Sequence, residues 1–558
     1  MRTFLNIKYF VLVCVLFITA CGGGHKEKND DDSKLFRYNE SSGITSLDPA
    51  FARGLENIWP VNQLYNGLLQ MDNNLYVQPC IAKKWEVSDD GTVYTFYLRD
   101  DVFFHDSPVF PNGKGRKVVA SDFVHSFLRI IDDKVASPGR WIFNNIDRSK
   151  RSNNIGFVAE NDTLLKIYLK FPFPPFPGLL TMQYCSVVPH EVVEKYGDDF
   201  RKNPIGTGPF VFKMWEENVK LILTKNEKYF EKDDEGNSLP YLDAISITFG
   251  KDEEVEFFEF MKGNLDFISG LDGSYKQQIL DSKGKLKPDY SDKIKMLTQS
   301  FLNTEYLGFL VDDEVEIMKN SPLRKKEVRQ AINYGFDRKQ MIMYLRNNVG
   351  TPATSGFVPK GMASFSEEEV PGYSYNPQKA HELLAKAGYP NGKGMPEIVL
   401  STTSQYLDLC EFIQHQLQEL GIKMKIDLNP AATHSELVAR QGSAFFRKSW
   451  VADYPDAENY LALFYSKNFA PDGPNYTHFK NAEYDRLYEL AHKTNSEKER
   501  YEIYRKMDRI IIEEAPVVPL YYDEVVRFVS PRVQNLGVNP MNLLTLKYVK
   551  KIPKEEKK

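Results

Sequence analysis

Two short apolar runs and the segment between them constrain this chain most. Ile398 to Ser401 and Met424 to Leu428 read as strands, and Leu407 to Leu420 between them has apolar residues at helical spacing. Strand, helix and strand in that order make a β-α-β unit, whose two strands lie parallel in one sheet. Similar signals recur along the chain. Thr92 to Leu98 is β-branched and aromatic after the turn Asp89-Asp90-Gly91, and Ser121 to Ile131 has helical spacing with Ser121 at the N-cap position. Ser321-Pro322-Leu323 opens a helical run through Val328, Ile332 and Phe336, and Pro377 to Ala387 ends at Gly388-Tyr389-Pro390, a helix stop. The expected fold class is therefore α/β. With 558 residues the chain exceeds the ~250–300 that one core supports, so two or three domains are expected.

The first residues are an address rather than part of the fold. Arg2 and Lys8 are basic, and Tyr9 to Ala20 is an apolar run shorter than the ~20 residues that span a bilayer. Residues 1–20 read as a secretory signal. The run ends in Ile18-Thr19-Ala20-Cys21, which resembles the lipobox of bacterial lipoproteins, with Cys21 as the lipidated mature N-terminus. The alternative is an ordinary cleaved signal with an incidental cysteine. Gly22-Gly23-Gly24 and the polar residues after it make 21–33 a flexible tether. Lipidation would anchor the protein to a membrane while its folded part stays in water. Cys80, Cys185 and Cys410 then remain, and three cysteines cannot all pair within one molecule. A net charge of −5 with 26% charged residues points to no nucleic-acid partner.

Local catalytic and metal motifs are missing. Gly206-Thr207-Gly208 begins like a dinucleotide fingerprint but has Val211 where a third glycine is due. Pro189-His190-Glu191 lacks the second histidine of a zinc helix, and no phosphate loop or nucleophile elbow occurs. No metal, no cofactor and no enzymatic activity are expected.

Several stretches, in order, resemble the bacterial extracellular solute-binding proteins of family 5, the oligopeptide and dipeptide binding type of ATP-driven importers. They are Ile44 to Ala50, Leu64 to Leu69, Ala82 to Asp106 (AKKWEVSDDGTVYTFYLRDDVFFHD), Asn203 to Phe210, Val328 to Asn333, Ala387 to Pro390 and Ala515 to Tyr521. The resemblance runs from about residue 36 to about 548 and implies a type II periplasmic-binding-protein fold of two lobes with an inserted domain. By analogy, residues 34–75, 196–297 and 521–548 form lobe I, 76–195 the inserted domain and 298–520 the second lobe. Residues 549–558 are expected to be a solvated charged tail.

The stretch SWVADYPDAENY, Ser449 to Tyr460, is similar to the family segment whose aspartate pairs with the α-amino group of a bound peptide, and Asp453 is the matching residue. An ammonium offers three donors and a carboxylate accepts them. If the stretch is extended, Arg447, Ser449, Val451 and Asp453 share one face, which would suit a zwitterion. Relatives carry an arginine at the Arg447 spacing that reaches a ligand carboxylate. Asp453 would otherwise cap a helix beginning near Asp456, or pair with Arg447. Trp450 is either pocket wall or core, and Tyr454 completes the segment. Gly54 falls where relatives bring backbone against the ligand, and Arg53 stands where some have an acid. Ser269 and Gly270 replace bulkier residues of relatives.

The resemblance thus implies a monomeric, lipid-anchored, extracytoplasmic binding protein on the periplasmic side of the cell envelope. It would capture short peptides and deliver them to the permease and ATPase subunits of an ABC importer. The alternatives are a non-peptide ligand such as a nickel chelate, haem or a sugar, a peptide-sensing lipoprotein, and, from another class, a lipoprotein hydrolase.

Overall fold

The computed structural model describes residues 32–149, 156–270 and 277–553. Ile398–Thr402 and Met424–Leu428 pair in parallel across the helix Leu407–Glu419, the unit expected from the sequence. Leu409, Ile413 and Leu417, four residues apart, bury one face of that helix. No helix among the described residues is long and apolar enough to cross a membrane.

Eleven strands form one sheet. In one half Leu35–Asn39 lies parallel to Ala244–Thr248 and Phe267–Ser269, and Lys220–Lys225 and Phe210–Glu216 extend it antiparallel. In the other half Phe445–Val451 lies beside Ile398–Thr402. The antiparallel pair Lys295–Phe309 and Val517–Val529 runs through both halves. Its register shifts between Ser300 and Thr304 and again between Glu305 and Tyr306. Extra residues on one strand break the hydrogen-bond ladder, so the crossing from one half to the other is where the sheet bends most easily.

Residues 76–195 hold a separate antiparallel sheet of Ala82–Val87, Val93–Leu98, Leu164–Tyr168 and Phe157–Asn161. The helix Ala120–Ile131 covers it through Phe123, Phe127 and Ile130. This region shares its apolar core with the first half, since Phe96, Phe127 and Leu165 belong to one cluster with Phe36 and Ile245. The second half has its own cores around Ile332 and Leu400 and around Phe357 and Tyr504.

Several local expectations need correction. Val119, not Ser121, precedes the 120–131 helix, because Asp122 in its first turn accepts the Val119 N–H at 2.9 Å. Pro322–Arg324 is a separate short turn, and the helix starts at Lys326. The charged tail is not all solvated. Lys550–Lys551 pairs with Val533–Gln534, and the Lys551 ammonium is buried 3.0 Å from Asp266 and 3.5 Å from Asp32. Asp32 also holds Arg532 at 2.5 Å, so the last tether residues, Asp32 and Ser33, are built into the first half as well. Cys21 lies outside the described residues.

Candidate ligand-binding site

The strand Phe445–Val451 stops two residues before Asp453. Asn459, on the short helix Glu458–Leu461, organises the bend that follows. Its Oδ1 accepts the Asp453 N–H at 3.2 Å and the Trp450 Nε1–H at 2.8 Å, while its Nδ2 donates to Asp453 Oδ2 at 3.3 Å. Trp450 therefore braces the support of Asp453, its ring half-buried against the second half's core. The Asp453 side chain is open to solvent, yet surrounding protein desolvates it and raises its carboxyl pKa, opposed by the Asn459 hydrogen bond and the Arg53 cation. Asp453 caps no helix; the Glu458 N–H goes to Asp456 Oδ1 at 2.9 Å.

Arg53, whose charge acts on Asp453, and Gly54 belong to the first half. Gly54 precedes the helix Leu55–Leu64 with φ +80°, a conformation side-chain-bearing residues rarely adopt, and a Cβ there would lie 2.2 Å from the Glu56 carboxylate. Buried Asn57 ties the loop down, donating to Arg53 O at 2.9 Å and accepting the Thr45 N–H at 3.0 Å. Ser137 donates to Ala50 O at 2.6 Å, and Trp141 in the same segment packs on the Tyr454 ring with centroids 6.2 Å apart. These contacts carry the Arg53 loop to the neighbourhood of Asp453.

Arg447 pairs with Glu305 rather than with Asp453, and the two do not share one strand face. The regular alternation ends at Val451, which is exposed, and leaves only Arg447, Ser449 and Val451 on one face. The Arg447 guanidinium is ion-paired to Glu305 on the crossing strand Lys295–Phe309 and stacks 3.1 Å above the Tyr406 ring. Burial raises the Glu305 carboxyl pKa, and Asn303 donates to it at 3.1 Å. A second pair, Arg346 with Asp523 at 2.5 Å, adjoins on Val517–Val529. Charges chosen from one strand thus find partners on the neighbouring strand, which sequence spacing does not reveal. Ser449 lies opposite Glu305 in the ladder. Tyr454 is a packing residue, buried against Trp141 with its hydroxyl donating to Glu458.

Ser269 ends the strand Phe267–Ser269 and accepts from Asn542 Nδ2 at 3.3 Å. With Gly270 it lines a cavity of about 490 Å³ that Gln405 of the second half also borders. Glu40, Glu56, Glu253 and Glu256 make this cavity acidic. Burial, then Glu56, pushes Glu40 up to about 7; burial pushes Glu256 to about 7 too, with Glu253 and Glu40 adding. None of these four was singled out from the sequence, because they come from separate segments and each looks like an ordinary surface acid. Asn459 was within the quoted stretch, but only the bend after Val451 gives it a role.

Among the described residues a serine–histidine contact joins Ser401 Oγ to His434 Nδ1 at 3.0 Å, but both residues are buried. His434 Nε2 meets Arg447 O at 2.8 Å, so the pair fastens the helix Ala431–Ala439 under the Arg447 strand.

Two sheet halves joined by two crossing strands are the architecture of a solute-binding protein. The chain belongs to the bacterial extracellular solute-binding proteins, family 5, whose middle-region model matches residues 76–472. It is a binding protein of the cell exterior, not an enzyme. It is 27% identical over 506 residues to the glutathione-binding protein GsiB of Salmonella paratyphi A, covering 89% of this chain and 91% of the relative. The fold matches HbpA2 of Haemophilus parasuis with a TM-score of 0.78 at 24% identity, over 93% of this chain and 99% of that one. The Escherichia coli murein tripeptide binding protein MppA matches with a TM-score of 0.71 at 25% identity, over 94% and 99%.

Proposed function

We propose that the protein captures short peptides with a free ammonium between its two lobes and delivers them, as a lipid-anchored monomer, to an ABC permease. Asp453 carries this reading: it is a solvent-open carboxylate, held by Asn459 and, among the described residues, joined to no cation by direct contact. A ligand ammonium supplies the missing donors. The names of the similar proteins, glutathione-binding and murein tripeptide binding, support a small peptide as ligand. Lobe I comprises 34–75, 196–297 and 521–548, the inserted domain 76–195 and the second lobe 298–520. A ligand touching both lobes stabilises only their closed arrangement, by bending the two crossing strands; closure of periplasmic binding proteins is a standard example of such motion. The anchor is Cys21, supported by the lipobox-like residues before it.

Native mass spectrometry of the form lacking residues 1–21, purified without refolding, tests the ligand. Short peptides co-purifying with the protein and lost in Asp453→Asn are the expected result. A bare mass, or a ligand kept equally by both forms, would sink the peptide reading. For the anchor, Cys21→Ser should move the full-length protein from the membrane to the soluble fraction.

A further inference from the structure

Another cavity is built without the second half. Its volume is about 260 Å³, and its lining is drawn from residues 62–80, 181–186, 209, 229 and 535–548, with none from 298–520. Leu69 and Leu544 in its wall belong to the apolar cluster of the first half. The size is just below the ~300–1,000 Å³ of ordinary small-molecule pockets, room for one small molecule and not for a chain of residues. Gln183 and Ser186 line it from one short turn. Gln183–Cys185 is a single 3₁₀ turn closed by the Ser186 N–H on Gln183 O at 3.0 Å, and side chains three apart on such a turn stand on the same side. The two residues between them go elsewhere: Tyr184 packs over Gly139, and the Cys185 thiol donates to Leu179 O at 3.5 Å. Only 8% of Gln183 and 6% of Ser186 is exposed, yet among the described residues neither side chain makes a hydrogen bond. A buried amide and a buried hydroxyl each cost stability when unpaired, so the two together on one cavity wall mark a place for a polar partner.

The charge of that partner follows from the rest of the wall. Two charged residues line the cavity, Lys547 and Asp72, and both are engaged. The Lys547 ammonium is ion-paired to Glu231 and donates to Gln70 Oε1 at 2.8 Å. The half-buried Asp72 carboxylate holds its own turn, accepting the Asn74 and Tyr76 N–H groups at 2.8 and 3.0 Å and the Gln78 amide at 3.4 Å. A cationic ligand would meet Lys547 as well as Asp72, and an anionic one would meet Asp72 and Glu231 as well as Lys547, so neither gains a free counter-ion. A hydroxyl both donates and accepts, so it can serve either end of the Gln183 amide and the Ser186 hydroxyl. We infer that this cavity is a second binding site, for a single uncharged molecule rich in hydroxyl groups and of about the size of one sugar. Gln183 and Ser186 hold it, independently of the peptide cleft and of Asp453.

The test titrates D-glucose and N-acetyl-D-glucosamine, with their charged counterparts D-glucuronate and D-glucosamine, calorimetrically into the wild type, Gln183→Leu, Ser186→Ala, the double variant and Asp453→Asn. At least one uncharged sugar should bind the wild type with a Kd of about 1 mM or tighter, and at least about tenfold more tightly than its charged counterpart. Gln183→Leu and Ser186→Ala should each weaken it roughly three- to tenfold, as the loss of a neutral hydrogen bond does, and Asp453→Asn should leave it unchanged. Since no protein group pairs with the Gln183 amide, Gln183→Leu should melt no lower than the wild type, which separates lost binding from lost folding. Binding of neither uncharged sugar would make water the cavity's only occupant and overturn the inference. Binding that persists in the double variant, that is equal for the charged counterparts, or that disappears in Asp453→Asn would also overturn it. A Gln183→Leu protein that melts well below the wild type would do the same, by showing the amide to be structural. Each of these outcomes leaves peptide capture standing.

Discussion

At the scale of single residues, the proposed ammonium contact of Asp453 depends on the groups that hold that side chain in place. Asn459 accepts two N–H donors and donates to Asp453, so its replacement unfastens the carboxylate and strands the Trp450 indole. A hydrogen bond to a charged group contributes about 1.5–3 kcal/mol, so Asn459→Leu should weaken free-amine peptides by roughly 10- to 100-fold, readable by calorimetry. N-acetylated peptides, which bring no ammonium, should be nearly indifferent to the change. Arg447 behaves differently. Its partner Glu305 is buried, and removing one member of a buried pair costs about 3–5 kcal/mol. Arg447→Met should therefore lower the melting temperature sharply, and Glu305→Gln added to it should recover much of the loss. A single variant as stable as the wild type would show that the pair is not needed for the fold.

At the scale of elements, regular periodicity was readable and long-range pairing was not. The unit 398–428 follows from apolar spacing alone, because a helix with one buried face between two buried strands has few other ways to pack. The bend at Asp453 was hidden, since a run of alternating residues predicts a strand until Asn459, six residues on, pulls the chain aside. The ion pair of Arg447 was hidden because its counter-ion lies 142 residues away in sequence. The tail was misjudged for the same reason: five lysines and two glutamates in Val549 to Lys558 look solvated, but Lys551 finds Asp266, 285 residues away. That short element can be tested directly. Lys551→Gln leaves Asp266 buried with only the Arg37 N–H and should lower the melting temperature, whereas Lys550→Gln, whose side chain is exposed, should not.

At the scale of the whole molecule, three desolvated carboxyls, half-buried Glu40 and Glu256 and buried Asp508, have pKa values near 7 and impose a common pH dependence. Glu40 and Glu256 border the acidic cavity, and Asp508, buried in the second lobe and accepting the Phe357 N–H at 2.7 Å, is also pushed to about 7. Burial is the main cause in each. In the unfolded chain these groups lose their protons near pH 4, as ordinary carboxyls do. The folded protein therefore holds more protons than the unfolded chain between about pH 4 and 7, and stability falls as pH rises through that window. Above it the contribution is flat. Glu40→Gln with Glu256→Gln should flatten the melting temperature between pH 5 and about 7.5, with Asp508 still contributing. The cavity's charge changes over the same range, becoming more negative as Glu40 and Glu256 ionise. A ligand placing a cationic side chain there should bind more tightly at pH 8 than at pH 6, and an otherwise identical ligand with a neutral side chain should lack that gain. Calorimetry at the two pH values, on wild type and the double variant, separates this from any titration of Asp453: the pH gain should vanish in the double variant while the dependence on a free ammonium stays.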